Sequence, residues 1–420
     1  MWRQFLYLDT PYSKYSNTNY AVSGKDVHAI TEIISQRQAQ LDNVTTELAL
    51  VESIMERVRS IHQQLLDKRN QVVVSMQAHQ GLVSCIRRLP AEILGEIFLR
   101  CLPPDPPVEP DTTAAPLLLL AVCRRWRKVA LGTPRLWCSL SIQPSHRIQQ
   151  QGVFYYHHWL SRARCCPLSL AVDTRRPPMN PVWRYEVTEL LQPYMSRAAR
   201  LCIAFDDATA PDLLLKDASM LEHLTLDGDL RTARKMALIQ PMLRLRSLTL
   251  NTLTLGLGDL SAFNPGWAHL TQLRVTLGRG RSLREATDGP IVLALLALCP
   301  HLQEFSFSPF FVSRCDAPRA FTHTRLRSLD VVVLSGVGPL LEALTLPALR
   351  QLTIRDLDIL PSTWRHNAFT AFLKRSCCPL ETLKIHGTQV AISKADRQEY
   401  AALIPTLKQL DLCLAVMMHS

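Results

Sequence analysis

Apolar residues follow a heptad pattern from Ile30 to Leu65. They recur at alternating steps of four and three residues, and Gln, Glu, Asp, Arg and Lys dominate the positions between them. This spacing winds an apolar stripe along a helix, which a partner helix buries in a coiled coil. Nine of eleven seam positions are apolar, and this favours a coiled coil over a plain amphipathic helix. The seam consists of Ile30, Ile34, Arg37, Leu41, Val44, Leu48, Val51, Met55, Val58, His62 and Leu65.

The heptads predict a coiled-coil helix over residues 25–80. Residues 1–24 are rich in Tyr, Ser, Thr and Asn without periodicity, and they are predicted to be a disordered tail. Arg37 and His62 interrupt the seam, and they either set its register or mark a weak seam. The pattern does not identify the partner helix, which belongs to another copy, to another protein or to another part of this chain.

Two apolar helices are predicted within residues 85–142, and almost no linker separates this segment from the heptads. The first begins at Leu89 with LPAEILGEIFLRCL, and Pro90 suits its first turn because no intrahelical donor is lost there. The Pro-rich segment 103–111 is a loop, since Pro lacks an amide donor and restricts its predecessor. The second helix is predicted from Leu117 to Ala130, followed by a turn at TPRLW.

This segment resembles an F-box, the helical module that docks onto the Skp adaptor of cullin-based ubiquitin ligases. The resemblance rests on the Leu-Pro start, the apolar helix after it, the second helix and the closing RLWCSL. A module of about fifty residues cannot bury all its apolar groups, so a partner covers some of them; the alternative is an ordinary core helix. The resemblance implies that Trp126 packs inside and Trp137 closes the module, within an adaptor-binding set of Leu89, Pro90, Ile93, Leu94, Ile97, Phe98, Leu120, Val122, Cys123 and Trp126.

An L-x-x-L-x-L motif repeats along the rest of the chain. In a stacked array its alternate leucines point inward from short parallel strands, and each return segment packs a helix or turn outside. Successive copies are separated by 24, 25, 32, 24, 23, 31 and 27 residues, with a degenerate copy at Ala198. The copies begin at Leu221, Leu245, Leu270, Leu302, Leu326, Leu349, Leu380 and Leu407.

The motif resembles a leucine-rich repeat, whose period is about 20–29 residues. It predicts an α/β fold, with an irregular leucine-rich repeat solenoid over residues 150–420. The helical module and the coiled-coil helix precede this solenoid in the sequence. The Asn or Cys that usually follows the strand motif is mostly missing, which is why the array is expected to be irregular. The full combination resembles the large F-box family of mushroom-forming fungi.

The composition of the chain gives it a net positive charge. The 47 Lys and Arg residues outnumber 36 Asp and Glu residues, for a formal net charge of +11. The positive residues are spread along the chain, which favours a basic solvated surface over a nucleic-acid site. The CRRWRK cluster at Cys123 fits the solvent face of a helix, and its alternative is a nuclear localisation or nucleic-acid patch.

Motifs of enzymes and metal sites are absent from the sequence. It contains no GxxxxGK[ST], GxGxxG, GxSxG or HExxH, and its twelve cysteines include no paired CxxC. We therefore expect no catalytic residues, cofactor or metal. The thiols ahead of the strand motifs at Cys165, Cys166, Cys299, Cys377 and Cys378 are interpreted as small buried packing groups, with a metal or redox role of the two adjacent pairs as the alternative.

No signal peptide is expected, because the start MWRQFLYLDTPYSKYS lacks a basic n-region followed by a sustained apolar run. No membrane span is expected either, because the longest apolar runs are far shorter than the ~18–20 residues a span needs. The thiols fit a reducing intracellular compartment, cytoplasmic or nuclear. The resemblance implies a substrate-recognition subunit that binds a Skp-type adaptor, through it a cullin, and an unidentified target protein. The alternatives are a ligase-independent scaffold with the same folds and a nuclear nucleic-acid-binding repeat protein.

Overall fold

The computed structural model is mixed α/β, with a long N-terminal helix and a large parallel sheet. It divides into two compact units, Met1–Leu89 and Pro90–Ser420, so the boundary falls inside the predicted segment 85–142. The structure describes residues 9–15, 17–104, 107–143, 154–175, 183–205, 215–228, 242–252, 256–278, 288–311, 320–335, 337–356, 364–387 and 392–414.

The first unit is built on helix α1, Gly24–Val83. With a rise of 1.5 Å per residue, its 60 residues span about 90 Å. None of these residues, all of them described, is buried. Short 3₁₀ turns lie at Ser13–Tyr15 and Cys85–Arg87. Residues 1–8 and residue 16 lie outside the described part, and the disordered tail stays a prediction.

The second unit begins with helices α2 (Ala91–Arg100), α3 (Leu117–Val122) and α4 (Arg124–Leu131). The prediction of one helix from Leu117 to Ala130 is wrong, because the chain breaks at Cys123. Its backbone is extended (φ −160°, ψ 169°), and its Sγ accepts a hydrogen bond from the Trp126 amide at 3.4 Å. Cys123 thereby caps a new helix, which is a role that Ser, Thr, Asp or Asn normally fills.

A 3₁₀ turn at Pro134–Trp137 leads into an eleven-stranded sheet within the described residues. All neighbouring strands are parallel and follow chain order, so the prediction of parallel strands is confirmed. The sheet strands are β1 Ser139–Ile142, β2 Leu168–Asp173, β3 Ala198–Ala204, β4 His223–Asp227, β5 Ser247–Thr252, β6 Gln272–Leu277, β7 Glu304–Phe311, β9 Ser328–Ser335, β11 Gln351–Asp356, β12 Thr382–Gly387 and β13 Gln409–Leu414.

Within the described residues, seven helices lie between successive strands of the sheet. Two short strands, β8 (Phe321–Thr322) and β10 (Leu344–Thr345), pair separately and in parallel. The return helices are α5 Phe154–Arg162, α6 Trp183–Met195, α7 Leu257–Ala262, α8 Asp288–Leu298, α9 Gly338–Ala343, α10 His366–Ser376 and α11 Lys394–Leu403. A further 3₁₀ turn lies at Trp267–His269.

Corresponding residues of the motif stand side by side across the sheet. Leu224 pairs with Leu248, and Leu248 with Leu273. Phe305 replaces leucine in the same row of β7. The leucine that opens each motif is also fully buried in seven of the eight copies, the exception being the half-buried Leu407. These continuous apolar rows form the core, because a single strand cannot bury its own apolar face.

A backbone pattern recurs where each strand begins. The carbonyl of Glu222 accepts hydrogen bonds from two successive amides, those of Arg246 (2.9 Å) and Ser247 (3.0 Å). Six further carbonyls each accept hydrogen bonds from two successive amides at the start of the following strand. They are the carbonyls of Arg246, Thr271, Gln303, Arg327, Arg350 and Glu381. The successive motifs are therefore equivalent in backbone hydrogen bonding as well as in sequence, despite spacings that vary from 23 to 32 residues.

Candidate interaction surfaces

Helix α2 carries two apolar rows that face different surroundings. Leu94 and Phe98 are fully buried, whereas Ile93 and Ile97 remain 50% and 38% exposed. Pro90, also exposed, precedes the helix, and its carbonyl accepts the first helical hydrogen bond, from the Leu94 amide at 3.0 Å. The sequence places all these residues on one stripe, but only one edge of the stripe is buried.

Gly95 explains how closely α2 packs within the second unit. A Cβ at this position would lie 3.2 Å from Oγ1 of Thr133 and 4.0 Å from Val129. The side chains of the α4 region therefore occupy the space that a larger residue would need. This tight packing positions α2 so that Ile93 and Ile97 point away from the interior.

The α3–α4 corner holds the other residues of the predicted set. Val122 is 53% exposed and Cys123 is exposed, while Leu120 and Trp126 are half-buried. The Trp126 ring packs against Phe98 with centroids 4.9 Å apart, which joins α4 to α2. The half-buried Trp126 therefore contributes to the contact between these two helices.

Trp137 closes this helical part. It is fully buried, and its Nε1 donates a 2.9 Å hydrogen bond to the Ala130 carbonyl. Its ring meets Trp159 edge-on at 5.0 Å, and the Arg162 guanidinium lies 4.6 Å from its centroid. Because Trp159 and Arg162 belong to α5, these contacts attach the helices to the beginning of the sheet.

Leu89 is half-buried and lies in the first unit, whereas the other nine residues of the predicted set lie in the second. Pro90, Ile93, Ile97, Val122 and Cys123 are exposed. Leu94 and Phe98 are buried and support the exposed row from within. The predicted set therefore combines surface positions with the core that holds them.

The strands present polar side chains on the face opposite the leucine rows. The register aligns Arg274, Ser306 and Asp330 on β6, β7 and β9. Nη2 of Arg355 donates to Asp330 Oδ2 at 2.7 Å, and Nη1 of Arg175 lies 2.8 Å from Asp227 Oδ2. Each of these two arginines is therefore paired with a carboxylate, and the same face also carries the exposed Arg274.

A shallow polar pocket of about 330 Å³ lies on this face. Three serines belong to its lining, and Arg274, Glu304 and Asp330 supply charge of both signs. Asp330 Oδ1 is buried and has no hydrogen-bond partner among the described residues. The lining includes Ser247, Thr249, Gln272, Arg274, Glu304, Ser306, Ser328 and Asp330.

Burial keeps several thiols unreactive. It raises the pKa of Cys138 and Cys299 to about 12 and that of Cys378 to about 11. These thiols stay protonated near neutral pH, whereas nucleophilic and metal-binding cysteines act as thiolates. Cys299 is buried as expected and Cys166 and Cys378 are half-buried, but the prediction of buried thiols is wrong for Cys165 and Cys377, which are exposed. Within the described ranges, no cluster of three or more potential metal ligands occurs.

A polar cluster lies between α10 and α11, and the sequence analysis did not predict it. His366 Nε2 lies 2.9 Å from Glu399 Oε2, and its Nδ1 lies 2.9 Å from the Tyr400 hydroxyl. A proton on Nε2 leaves Nδ1 to accept from Tyr400, whose oxygen accepts in turn from Trp364 Nε1 at 2.9 Å. The cluster joins consecutive return helices, and no short sequence motif indicates it because its hydrogen-bonded partners lie 33, 34 and 36 residues apart.

The basic cluster on α4 lies at the surface. Arg124, Arg125, Arg127 and Lys128 are all exposed, and Arg127 Nε donates to the Leu120 carbonyl at 2.8 Å. Among the described helices, none combines the length and the apolar character that crossing a membrane requires.

Comparison with protein-family models finds no match, and comparison with curated proteins finds none either.

Proposed function

We propose that this protein is the substrate-recognition subunit of a cullin-type ubiquitin ligase. Residues 85–142 would act as an F-box that docks onto a Skp-type adaptor, and the sheet and its return helices would be an irregular leucine-rich repeat array that binds a target protein. Other subunits would transfer ubiquitin, so this chain would act inside the cell by bringing target and ligase together.

The observation that carries the proposal is the exposed apolar row on α2. Ile93 is 50% exposed and Ile97 38% exposed, although Leu94 and Phe98 beside them are fully buried. Apolar surface gains about 25 cal/mol for each Å² removed from water, so a partner that covers this row gains binding energy. The exposed Val122 offers a second apolar contact from α3.

The sheet supports the second half of the proposal. Its parallel strands follow chain order, its apolar rows align residue by residue, and its strand starts share one hydrogen-bond pattern. Repeat arrays built in this way display the outward side chains of neighbouring strands side by side. The polar face with Arg274, Ser306 and Asp330 would be the target-binding surface.

Adaptor binding tests the proposal. The full chain and an Ile93→Asp variant would be co-expressed with the Skp adaptor of the same organism, and complexes quantified after purification. We expect a stable complex with the parent and at least a ~30-fold weaker one with the variant, because a carboxylate would enter an apolar contact.

Leu257→Asp provides the matched control. Leu257 is 52% exposed, close to the value for Ile93, but lies on α7 rather than on the helical module. This variant should bind the adaptor like the parent. A folded parent that forms no complex would overturn the ligase proposal and leave a ligase-independent scaffold as the better explanation.

A further inference from the structure

Helix α1 leaves its apolar seam uncovered. Leu41, Leu48 and Leu65 retain 58%, 57% and 60% of their surface in contact with solvent. A long helix of this kind gains most of its stability from packing of its apolar stripe rather than from helix propensity. The same heptad register continues past Leu65 to the end of α1, through Arg69, Val72, Met76, His79 and Val83.

We propose that two copies of the protein pair through α1 in antiparallel orientation. The register is centred between Glu56 and Arg57, so that Leu48 meets Leu65 of the second copy and Met55 meets Val58 of the second copy. This pairing is independent of the proposed ligase function, since it uses only residues of α1.

Charges in the seam disfavour the parallel alternative. In a parallel, in-register dimer each seam residue faces its own counterpart, so Arg37 would face Arg37 and Arg69 would face Arg69 of the second copy. On the flanks, Glu47 would face Glu52 of the second copy in the following heptad. Each of these contacts brings like charges together, and those in the seam would also be desolvated.

The antiparallel register removes these conflicts. Arg37 lies opposite Met76 of the second copy, and Arg69 lies opposite Val44 of the second copy. The long Arg stems can cover apolar neighbours while their guanidinium groups reach solvent at the edge of the seam. The seam then contains no pair of like charges.

The flanking charges are complementary in the same register. Glu47 and Lys68 of the second copy share one flank within a helical turn, and Glu52 shares the other flank with Arg59 of the second copy. Two-fold symmetry makes each attraction occur twice. Since the helix carries the charges that complement its own, a second copy is the partner that fits it.

Sedimentation of the full chain measures the association. We expect a mass about twice the 47.4 kDa of one chain at low micromolar concentration. Leu48→Asp should raise the dissociation constant at least ~100-fold, because both copies would place a carboxylate in the seam. Leu50→Asp is the matched control, since Leu50 is 62% exposed but lies outside the seam, and it should leave the dimer intact.

Charge reversal tests the orientation. Glu47→Lys would face Lys68 of the second copy in the antiparallel dimer, and should weaken association about tenfold. In a parallel dimer the same change would relieve the contact with Glu52 and strengthen association. Adding Lys68→Glu should restore the parent affinity only in the antiparallel arrangement.

Three results would overturn the proposal. A monomeric parent at these concentrations would show that no second copy covers α1. Equal effects of Leu48→Asp and Leu50→Asp on the dissociation constant would show that the seam does not form the interface. Tighter association of Glu47→Lys would replace the antiparallel arrangement with the parallel one. None of these outcomes depends on adaptor binding, so the two proposals fail separately.

Discussion

At the scale of single residues, Cys377 adopts a backbone conformation that favours glycine. It follows α10 as its C-cap in the left-handed region, with φ 45° and ψ 38°, and its amide donates to the Leu373 carbonyl at 3.0 Å. A side chain at such a position costs about 1 kcal/mol relative to glycine. Cys377→Gly should therefore stabilise the folded chain by about 0.5–1 kcal/mol, measured as a shift of the urea midpoint.

The neighbouring Cys378 provides the control for this substitution. It is half-buried, and its thiol has a pKa raised to about 11 by burial. Cys378→Gly should lower stability, because it removes packed atoms without relieving a left-handed backbone. A loss of stability in Cys377→Gly as well would show that the Cys377 side chain contributes more than the strained conformation costs.

At the scale of elements, Tyr400 joins α11 to α10. Its hydroxyl accepts from Trp364 and lies 2.9 Å from His366 Nδ1. Tyr400→Phe keeps the buried ring but leaves Trp364 Nε1 and His366 without this partner. We expect a loss of about 1–2 kcal/mol in thermal or urea unfolding. Tyr185→Phe, at a side chain 73% exposed, should change stability by less than about 0.5 kcal/mol, and equal effects of the two would contradict the role of the hydroxyl.

The elements also show how far the sequence could predict the structure. The parallel strands were predictable because Leu224, Leu248 and Leu273 recur with a fixed local pattern that specifies inward positions. The helix break at Cys123 was not, because a thiol is an uncommon cap and Leu120, Trp126 and Val129 keep a helical spacing across it. The sequence also could not predict which half of the α2 stripe is buried. Ile93 and Leu94 are both apolar, and only packing against α4 distinguishes them.

At the scale of the whole molecule, the order of strands in the sheet limits how far a local defect can spread. Each strand pairs only with neighbours in the sheet order, so β11 contacts β9 and β12 directly. In stacked repeat arrays stability is close to a sum of local and nearest-neighbour contributions, and the proposed repeat array predicts the same for this sheet. Leu352, fully buried on β11, should therefore matter most to the strands beside it.

Leu352→Ala tests this locality, because it creates a cavity in the apolar row and should cost about 2–5 kcal/mol of local stability. Hydrogen exchange followed by mass spectrometry should show faster exchange in β9, β11 and β12, while β2, β3 and β4 keep the protection of the parent. Leu201→Ala on β3 is the reciprocal variant, since Leu201 is 2% exposed and lies in the same row, and it should loosen β2 to β4 instead. If either substitution accelerated exchange uniformly across the sheet, the eleven strands would unfold as one cooperative unit, and nearest-neighbour contacts would not describe the stability of this protein.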